Sequence, residues 1–479
     1  MATTRKSLSL LDKIRIMTLI KSISGIRGTI GGKPGEGLSP ADIVKYTAAF
    51  AAFIKKNRGI DRPRFVIGRD ARISGEMVNH IVIGTLLGSG ADVIDLGLST
   101  TPTVEMAVIG LEADAGIILT ASHNPKQWNA LKLLNNLGEF ISAADGAEVL
   151  AIAENENYSF SSVDGLGSYT EDNSWITKHI EIILALPLVN REAIKEAGYH
   201  VVVDAVNSTG GIVLPQLLLA LGVKKVTALN CTADGHFAHN PEPLPENLND
   251  IAQLVVKVKA DLGFVVDPDV DRLAIVCQDG EMFGEEYTLV AVADYVLQHQ
   301  PGNTVSNLSS TRALRDITEK TGAKYFASAV GEVNVVEMMK AQHAVIGGEG
   351  NGGIIYPELH YGRDSLVGIA LFLSHLATSG KNCTTLRYGY PSYFISKNKI
   401  TLSPEMDVDE ILKRVAEKYH NQPLSIVDGV KIEFDKEWVH LRKSNTEPII
   451  RIYSESDILS KAEVLARKII GDISNILKE

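Results

Sequence analysis

The chain is 479 residues long, 45% hydrophobic and 22% charged, the composition of a soluble globular protein of about three or four domains. Its net charge of −11, with no long basic run, speaks against nucleic acid and against an anionic membrane surface, and no apolar run approaches the roughly 18 residues of a membrane span. Three cysteines, Cys231, Cys277 and Cys383, stand far apart without CxxC spacing, so a disulfide framework and a cysteine zinc site are not expected and a reducing, cytoplasmic setting is.

Residues 1–16 carry Arg5, Lys6, Lys13 and Arg15 against Asp12 and read as a solvated extension before a folded part that starts at Met17. Arg27 follows, pinned between Gly25 and Gly28; alone it is a surface arginine. Phe65-Val-Ile-Gly then runs as a strand into the polar loop Arg69-Asp70-Ala71-Arg72, a helix-period stretch to Gly90 and a second strand from Asp92. The same order recurs from Val201 and again from Thr304, with helices stopping at Gly222 and Gly322. This is the βαβ pattern three times, with unequal insertions. Ser142-Ala-Ala-Asp145 predicts a capped helix to about Glu154, and residues 155–173 read as a linker. After the apolar helix Ser365–Ala377 the pattern changes to alternating runs at 424–435, 438–441 and 449–453 and a final amphipathic helix, Leu459–Leu477. The fold class expected is α/β, three similar α/β domains over 17–156, 172–277 and 280–378, plus a C-terminal α+β domain over 388–479.

Four stretches carry chemistry. Thr120-Ala-Ser122-His123-Asn-Pro125 follows the buried strand Ala115–Leu119, so Ser122 sits on a loop at a strand's end. A serine hydroxyl is weakly nucleophilic and needs neighbours; His123 is adjacent and Lys132 lies ten residues on. Asp267-Pro-Asp269-Val-Asp271-Arg272 follows the apolar run from Leu262. In extended backbone its three carboxylates share one face, and their repulsion calls for a hard divalent cation, Mg²⁺ before Ca²⁺ because EF-hand spacing is absent. Gly347-Gly-Glu349-Gly-Asn351-Gly-Gly353 allows close backbone approach to a hydroxyl-rich ligand, with Glu349 and Asn351 as its hydrogen-bonding side chains. Arg442-Lys-Ser444-Asn445-Thr446-Glu-Pro448 with Arg451 offers forked donors, hydroxyls and an amide, a cradle for phosphate.

Together these stretches, in this order, resemble the α-D-phosphohexomutase family of phosphoglucomutases, phosphomannomutases and phosphoglucosamine mutases, over nearly all the chain from Met17. The resemblance implies four domains around a central cleft. It implies that Ser122 is the serine phosphorylated in the resting enzyme, and that Asp267, Asp269 and Asp271 hold Mg²⁺ beside an oxygen of phosphorylated Ser122. Arg27 and Lys132 match the basic residues flanking that phosphate, with His123 inside its loop and Lys132 or His123 able to take the hydroxyl proton. Arg272 follows the metal loop, Glu349 matches the glutamate that holds sugar hydroxyls, and Arg442, Ser444, Asn445 and Thr446 match the loop for the phosphate not being transferred. The partners implied are hexose 1-phosphate, 6-phosphate and 1,6-bisphosphate, with a monomer or homodimer as the assembly. Two departures stand out. Pro268 replaces a small residue, and Gly-Glu-Gly-Asn-Gly-Gly replaces the frequent Gly-Glu-x-Ser-Gly-His, so that Asn351 stands for serine and Gly353 for histidine. Gly353 is expected to leave room and to remove a positive charge. The loop points to phosphoglucosamine mutase, with phosphomannomutase/phosphoglucomutase as the alternative. A haloacid-dehalogenase-like phosphatase using Asp267 lacks its Thr two residues after Asp269. An inactive sugar-phosphate binder has no need of Ser122, the aspartates and Lys132.

Overall fold

A computed structural model describes residues 17–22, 25–403, 406–443 and 449–477. The expected N-terminal extension, residues 1–16, lies outside the described residues. The chain divides into two compact units: one with the described residues up to His179 together with Val206–Ile212 and Asn230–Glu242, the other with Ile180–Ala205, Val213–Leu229 and the described chain from Pro243 on.

The first unit is built on β1 (Ile20–Ser22), β2 (Gly25–Thr29), α1 (Pro40–Arg58), β3 (Arg64–Arg69), α2 (Gly75–Gly88), β4 (Asp92–Leu98), α3 (Thr101–Gly110), β5 (Ala115–Leu119), β6 (Trp128–Leu134), α4 (Ala143–Glu154) and β7 (Tyr169–Glu171). The seven strands form one sheet in the order β1-β2-β6-β5-β3-β4-β7. Local chemistry explains its helices. Ser39 and Asp42 form a capping box at α1 with Pro40 in the first turn, Gly59 closes it in the left-handed region, and Ser142 with Asp145 caps α4 as expected. Tyr46, Phe50 and Ile54 of α1 pack with Phe65, Ile67, Ile117 and Leu119 on one face of the sheet; Val104 and Val108 of α3 pack with Val66 and Ile118 on the other. The stretch 155–173 departs from the linker reading. Its β7 pairs in parallel with β4, and Ser161 N donates to Gly88 O at 2.8 Å, so polar composition here marks an exposed sheet edge.

The next elements are α5 (Trp175–Leu184), α6 (Arg191–Ala197), β8 (His200–Asp204), α7 (Gly210–Leu221), β9 (Lys225–Leu229), α8 (Asn249–Val258), β10 (Leu262–Val266) and β11 (Leu273–Cys277). Then come α9 (Glu285–His299), β12 (Thr304–Asn307), α10 (Ala313–Lys320), β13 (Tyr325–Ser328), α11 (Glu332–Ala341), β14 (Ile346–Glu349), β15 (Gly353–Ile355), α12 (Ser365–Ser379) and α13 (Cys383–Tyr388). The second unit contains two four-stranded sheets, β11-β10-β8-β9 and β13-β12-β14-β15. In each, three strands are parallel and the last, β11 or β15, is antiparallel. The inner part of the first sheet repeats this plan as β6-β5-β3-β4, with β6 antiparallel. The threefold recurrence seen as strand, loop, helix and strand therefore extends from two strands to four in each copy. The serine loop joins β5 to β6, the aspartate loop β10 to β11, and the glycine-rich loop β14 to β15. Three of the four chemical stretches share one topological position, at the carboxyl end of a central parallel strand.

The C-terminal part is β16 (Phe394–Thr401), α14 (Val408–Lys418), β17 (Leu424–Ser425), β18 (Val430–Glu433), β19 (Trp438–Lys443), β20 (Ile449–Ser456) and α15 (Leu459–Ile476). Its five strands, ordered β16-β20-β19-β18-β17, are all antiparallel, and α14 and α15 cover one face with Leu412, Val415, Leu465 and Ile469. Among the described residues no helix is long and apolar enough to cross a membrane.

Candidate active site

Ser122 has a left-handed backbone, φ 48°, and is 8% exposed. A non-glycine residue in that region costs roughly 1–2 kcal/mol and persists only where its surroundings hold it. Two groups do so. Thr120 Oγ1 accepts from Ser122 N at 2.9 Å and donates to Asp70 Oδ2 at 2.6 Å. The Arg72 guanidinium, 1% exposed, then threads the turn from inside. Its Nη2 donates to Ser122 O and to Asn124 O, its Nη1 to Pro125 O at 2.8 Å and Trp128 O at 3.0 Å, and its Nε to Asp70 Oδ2 at 3.0 Å. Its guanidinium also lies 5.1 Å from the ring centroid of Phe237. Sequence reasoning sees Asp70 and Arg72 only as part of a polar loop; the available signal is an Asp-x-Arg pair at the end of a buried strand. Ser122 Oγ stands 3.4 Å from His123 Nδ1, a long contact.

Arg27 lies on β2 opposite Ala130 of β6, and Lys132 lies two residues further along β6, opposite Ile118. Opposed residues of an antiparallel pair share a face, as do residues two apart, so Arg27 and Lys132 point to the same side of the sheet. Lys132 is 8% exposed, its Nζ 5.5 Å from the ring centroid of Phe140. Gly25 is required beside Arg27: a Cβ there would stand 2.5 Å from Leu131 O, at φ 108°.

Asp267, Asp269 and Asp271 are fully buried, and one oxygen of each lies within 4.8 Å of the others. They converge by a different route from the extended backbone expected. The strand ends at Val266, Val270 turns left-handed at φ 66°, and Val270 N donates to Asp267 O at 3.1 Å. The loop is thus a curl, closed by Asp271 N and Arg272 N donating to Asp267 Oδ1 at 3.2 Å each. Arg272 is half-buried at its exit. Three buried carboxylates this close suit a hard cation, so the residues fit a divalent metal ion.

Glu349, 4% exposed, is held on both oxygens. Oε1 accepts from Asn307 Nδ2 at 2.8 Å and Gly331 N at 3.0 Å, and Oε2 from Arg363 Nη1 at 2.9 Å. Asn351 Oδ1 accepts from Gly353 N at 3.2 Å, so its amide donors are what it can offer a ligand. The glycines serve close packing. A Cβ on Gly350 would stand 2.0 Å from Glu286 Oε2, and one on Gly352 2.2 Å from Leu273 O. The expectation that Gly353 leaves room and removes a charge is corrected: a Cβ there would lie 2.4 Å from Arg363 Cδ, so an arginine fills the space and brings its charge.

Ser444, Asn445 and Thr446 lie outside the described residues. Arg442 on β19 is directly opposite Arg451 on β20, which is opposite Lys399 on β16. Like charges facing each other across strands destabilise a sheet. A row of three cations is accounted for if the face meets an anion. Lys399 escapes sequence reasoning because register, not spacing, places it there. Arg442 Nε also donates to Asp428 Oδ2 at 2.7 Å, which in turn accepts from Val330 N at 2.9 Å.

Four models of one family match the chain in succession: phosphoglucomutase/phosphomannomutase alpha/beta/alpha domain I over residues 19–159, domain II over 177–280, domain III over 284–393, and the C-terminal domain over 399–470. The chain belongs to the phosphoglucomutase/phosphomannomutase family. It is 37% identical over 441 residues to a phosphoglucomutase/phosphomannomutase of Thermococcus kodakarensis, covering 91% of this chain and 95% of the relative. It is 30% identical to a probable phosphoglucosamine mutase of Methanopyrus kandleri, covering 95% and 98%. A crystal structure of a phosphoglucomutase/phosphomannomutase family protein from Burkholderia thailandensis superposes with a TM-score of 0.81 at 25% identity, covering 96% of this chain and 98% of that one. This mutase is therefore an isomerase that moves phosphate within a sugar, and its buried aspartates could bind the metal on which the family depends.

Proposed function

We propose that this enzyme interconverts glucosamine 6-phosphate and glucosamine 1-phosphate through phosphorylated Ser122 and a bisphosphorylated sugar. The observation that carries the reading is the placement of a clamped serine, a buried aspartate triplet and a polar glycine-rich loop at one topological position in three successive α/β sheets. In the proposed reaction a sugar hydroxyl attacks the phosphorus on Ser122, the bond from phosphorus to Oγ breaks, and the hydroxyl proton passes by way of His123, or of Lys132 in its neutral form, to the departing Oγ. The sugar then carries two phosphates; Oγ attacks the other one, the bond from that phosphorus to the sugar oxygen breaks, and the Oγ proton returns to that oxygen. Arg27, with Lys132 when His123 is the base, places positive charge on one side of the sheet that bears Ser122, where a phosphate of about −1.5 to −2 needs it. Asp267, Asp269 and Asp271 would hold Mg²⁺, which when bound supplies fixed charge neutralisation. Arg442 and Arg451 are assigned to the phosphate that is not transferred, with Ser444, Asn445 and Thr446 between them. Arg272 is assigned to the substrate side of the metal loop.

The amino sugar is favoured by the donors of Asn351 and the carboxylate of Glu349, one to meet a hydroxyl and the other an amine, and by the Methanopyrus kandleri relative. A site that hydrogen-bonds a group rejects substrates without it by leaving buried polar atoms unpaired. With bisphosphate-primed enzyme and Mg²⁺, kcat/KM should rank glucosamine phosphate above glucose and mannose phosphates, and excess chelator should stop turnover until Mg²⁺ is restored. The Thermococcus kodakarensis relative favours a second reading, a dual phosphomannomutase/phosphoglucomutase. A clear preference for mannose or glucose phosphate would select it; turnover unaffected by chelator would remove Mg²⁺ from the scheme.

A further inference from the structure

Arg363 lies between β15 and α12 and is 8% exposed. Each guanidinium nitrogen donates to a different carboxylate. Nη2 reaches Asp271 Oδ2 at 2.7 Å, Nη1 reaches Glu349 Oε2 at 2.9 Å, and Nε reaches Glu332 Oε2 at 3.0 Å. Its backbone N donates to Glu332 Oε1 at 3.0 Å, which fixes the arginine's own stem. Asp271 belongs to the aspartate loop, Glu349 to the glycine-rich loop, and Glu332 opens α11. Gly353 makes the placement possible, because the space a side chain would take is occupied by the arginine stem.

We propose that Arg363 is a positioning residue that stands in for the cation when the aspartate loop is metal-free and ties that loop to Glu349, an inference that rests on the Mg²⁺ reading of the triplet. Three carboxylates with oxygens within 4.8 Å repel strongly when buried. Arg363 engages Asp271 through Oδ2 and so brings one fixed positive charge to the edge of the triplet. The same guanidinium fixes Glu349, so a shift of either loop is felt by the other. The fork matters: a lysine is a point charge that cannot hold three carboxylates in fixed directions.

Removing the arginine strips a shared counter-charge from three buried carboxylates, which destabilises the metal-free protein. A divalent ion then relieves more repulsion in the variant than in the wild type. Thermal melting in chelator and in saturating Mg²⁺, with calorimetric titration of MgCl₂, tests this without reference to turnover. Arg363→Met should melt several degrees lower than wild type when metal-free, gain more from Mg²⁺, and bind Mg²⁺ about tenfold tighter, as expected when one like charge is removed from a few ångströms away. Arg363→Lys should stay closer to wild type in both quantities. Adding Asp271→Asn to Arg363→Met removes one of the three carboxylates that lost the guanidinium and should return part of the metal-free loss. If Arg363→Met does not fold, the double variant should. Equal metal-free melting and equal Mg²⁺ gain in Arg363→Met and wild type, or no recovery in the double variant, overturns the proposal. A wild type that ignores Mg²⁺ in this assay instead overturns the metal reading, and recovery by Asp271→Asn still reports on the Arg363 pairing.

Discussion

Replacing Ser122 by alanine should reduce mutase turnover by about 10³-fold or more while leaving the melting temperature close to wild type. The two halves of that expectation have separate causes. Under the phosphoserine reading, Oγ is the atom that forms and breaks bonds with phosphorus, and alanine has none. The turn, by contrast, is held by groups that alanine keeps: the backbone N of residue 122 to Thr120 Oγ1, and its carbonyl to Arg72. The approach of Oγ to His123, which alanine cannot make, is long at 3.4 Å and contributes little to stability. Steady-state rates with primed substrate, beside a thermal melt, check both halves. A Ser122→Ala enzyme with turnover near wild type would remove Ser122 from the mechanism.

Arg72→Leu should be the most disruptive single change near the serine loop, costing about 3–5 kcal/mol. It would take the guanidinium away from the buried carboxylate of Asp70 and from four carbonyls, of Ser122, Asn124, Pro125 and Trp128. Arg72 is inside the first unit, so the loss should appear as a lower melting temperature for that unit. Arg72→Lys separates positioning from stability. It keeps the charge beside Asp70 but replaces a five-donor fork by one ammonium, which cannot span four carbonyls. That variant should fold, match wild type in its response to added Mg²⁺, and lose kcat with little change in KM. Wild-type kcat in Arg72→Lys would show that the serine loop holds its shape without the fork.

The order of elements is legible in the sequence because each α/β copy is marked twice: by an apolar strand run and by a glycine that ends its helix, as at Gly222 and Gly322. The chemical loops are legible because strands run straight into them. What stays hidden depends on register or on long-range approach. Lys399 meets Arg451 only through pairing of β16 with β20. Arg363 comes to the aspartate loop from more than ninety residues further along the chain, and nothing local distinguishes it from a surface arginine. The curl at Val270 is invisible in the sequence because a β-branched residue at positive φ breaks the local preference. Gly353 misleads for a related reason: a missing side chain looks like space until the neighbour that fills it is known. Residues 155–173 mislead because an edge strand exposed on both faces has the composition of a linker.

The central claim, that Ser122 carries the phosphoryl group, is tested most directly by peptide mapping of the wild-type protein after incubation with a hexose 1,6-bisphosphate and Mg²⁺. One phosphate is expected, on Ser122, and it should leave the protein when hexose monophosphate is added. Phosphate on Asp267, or a turning-over enzyme with Ser122 unmodified throughout, would contradict the account.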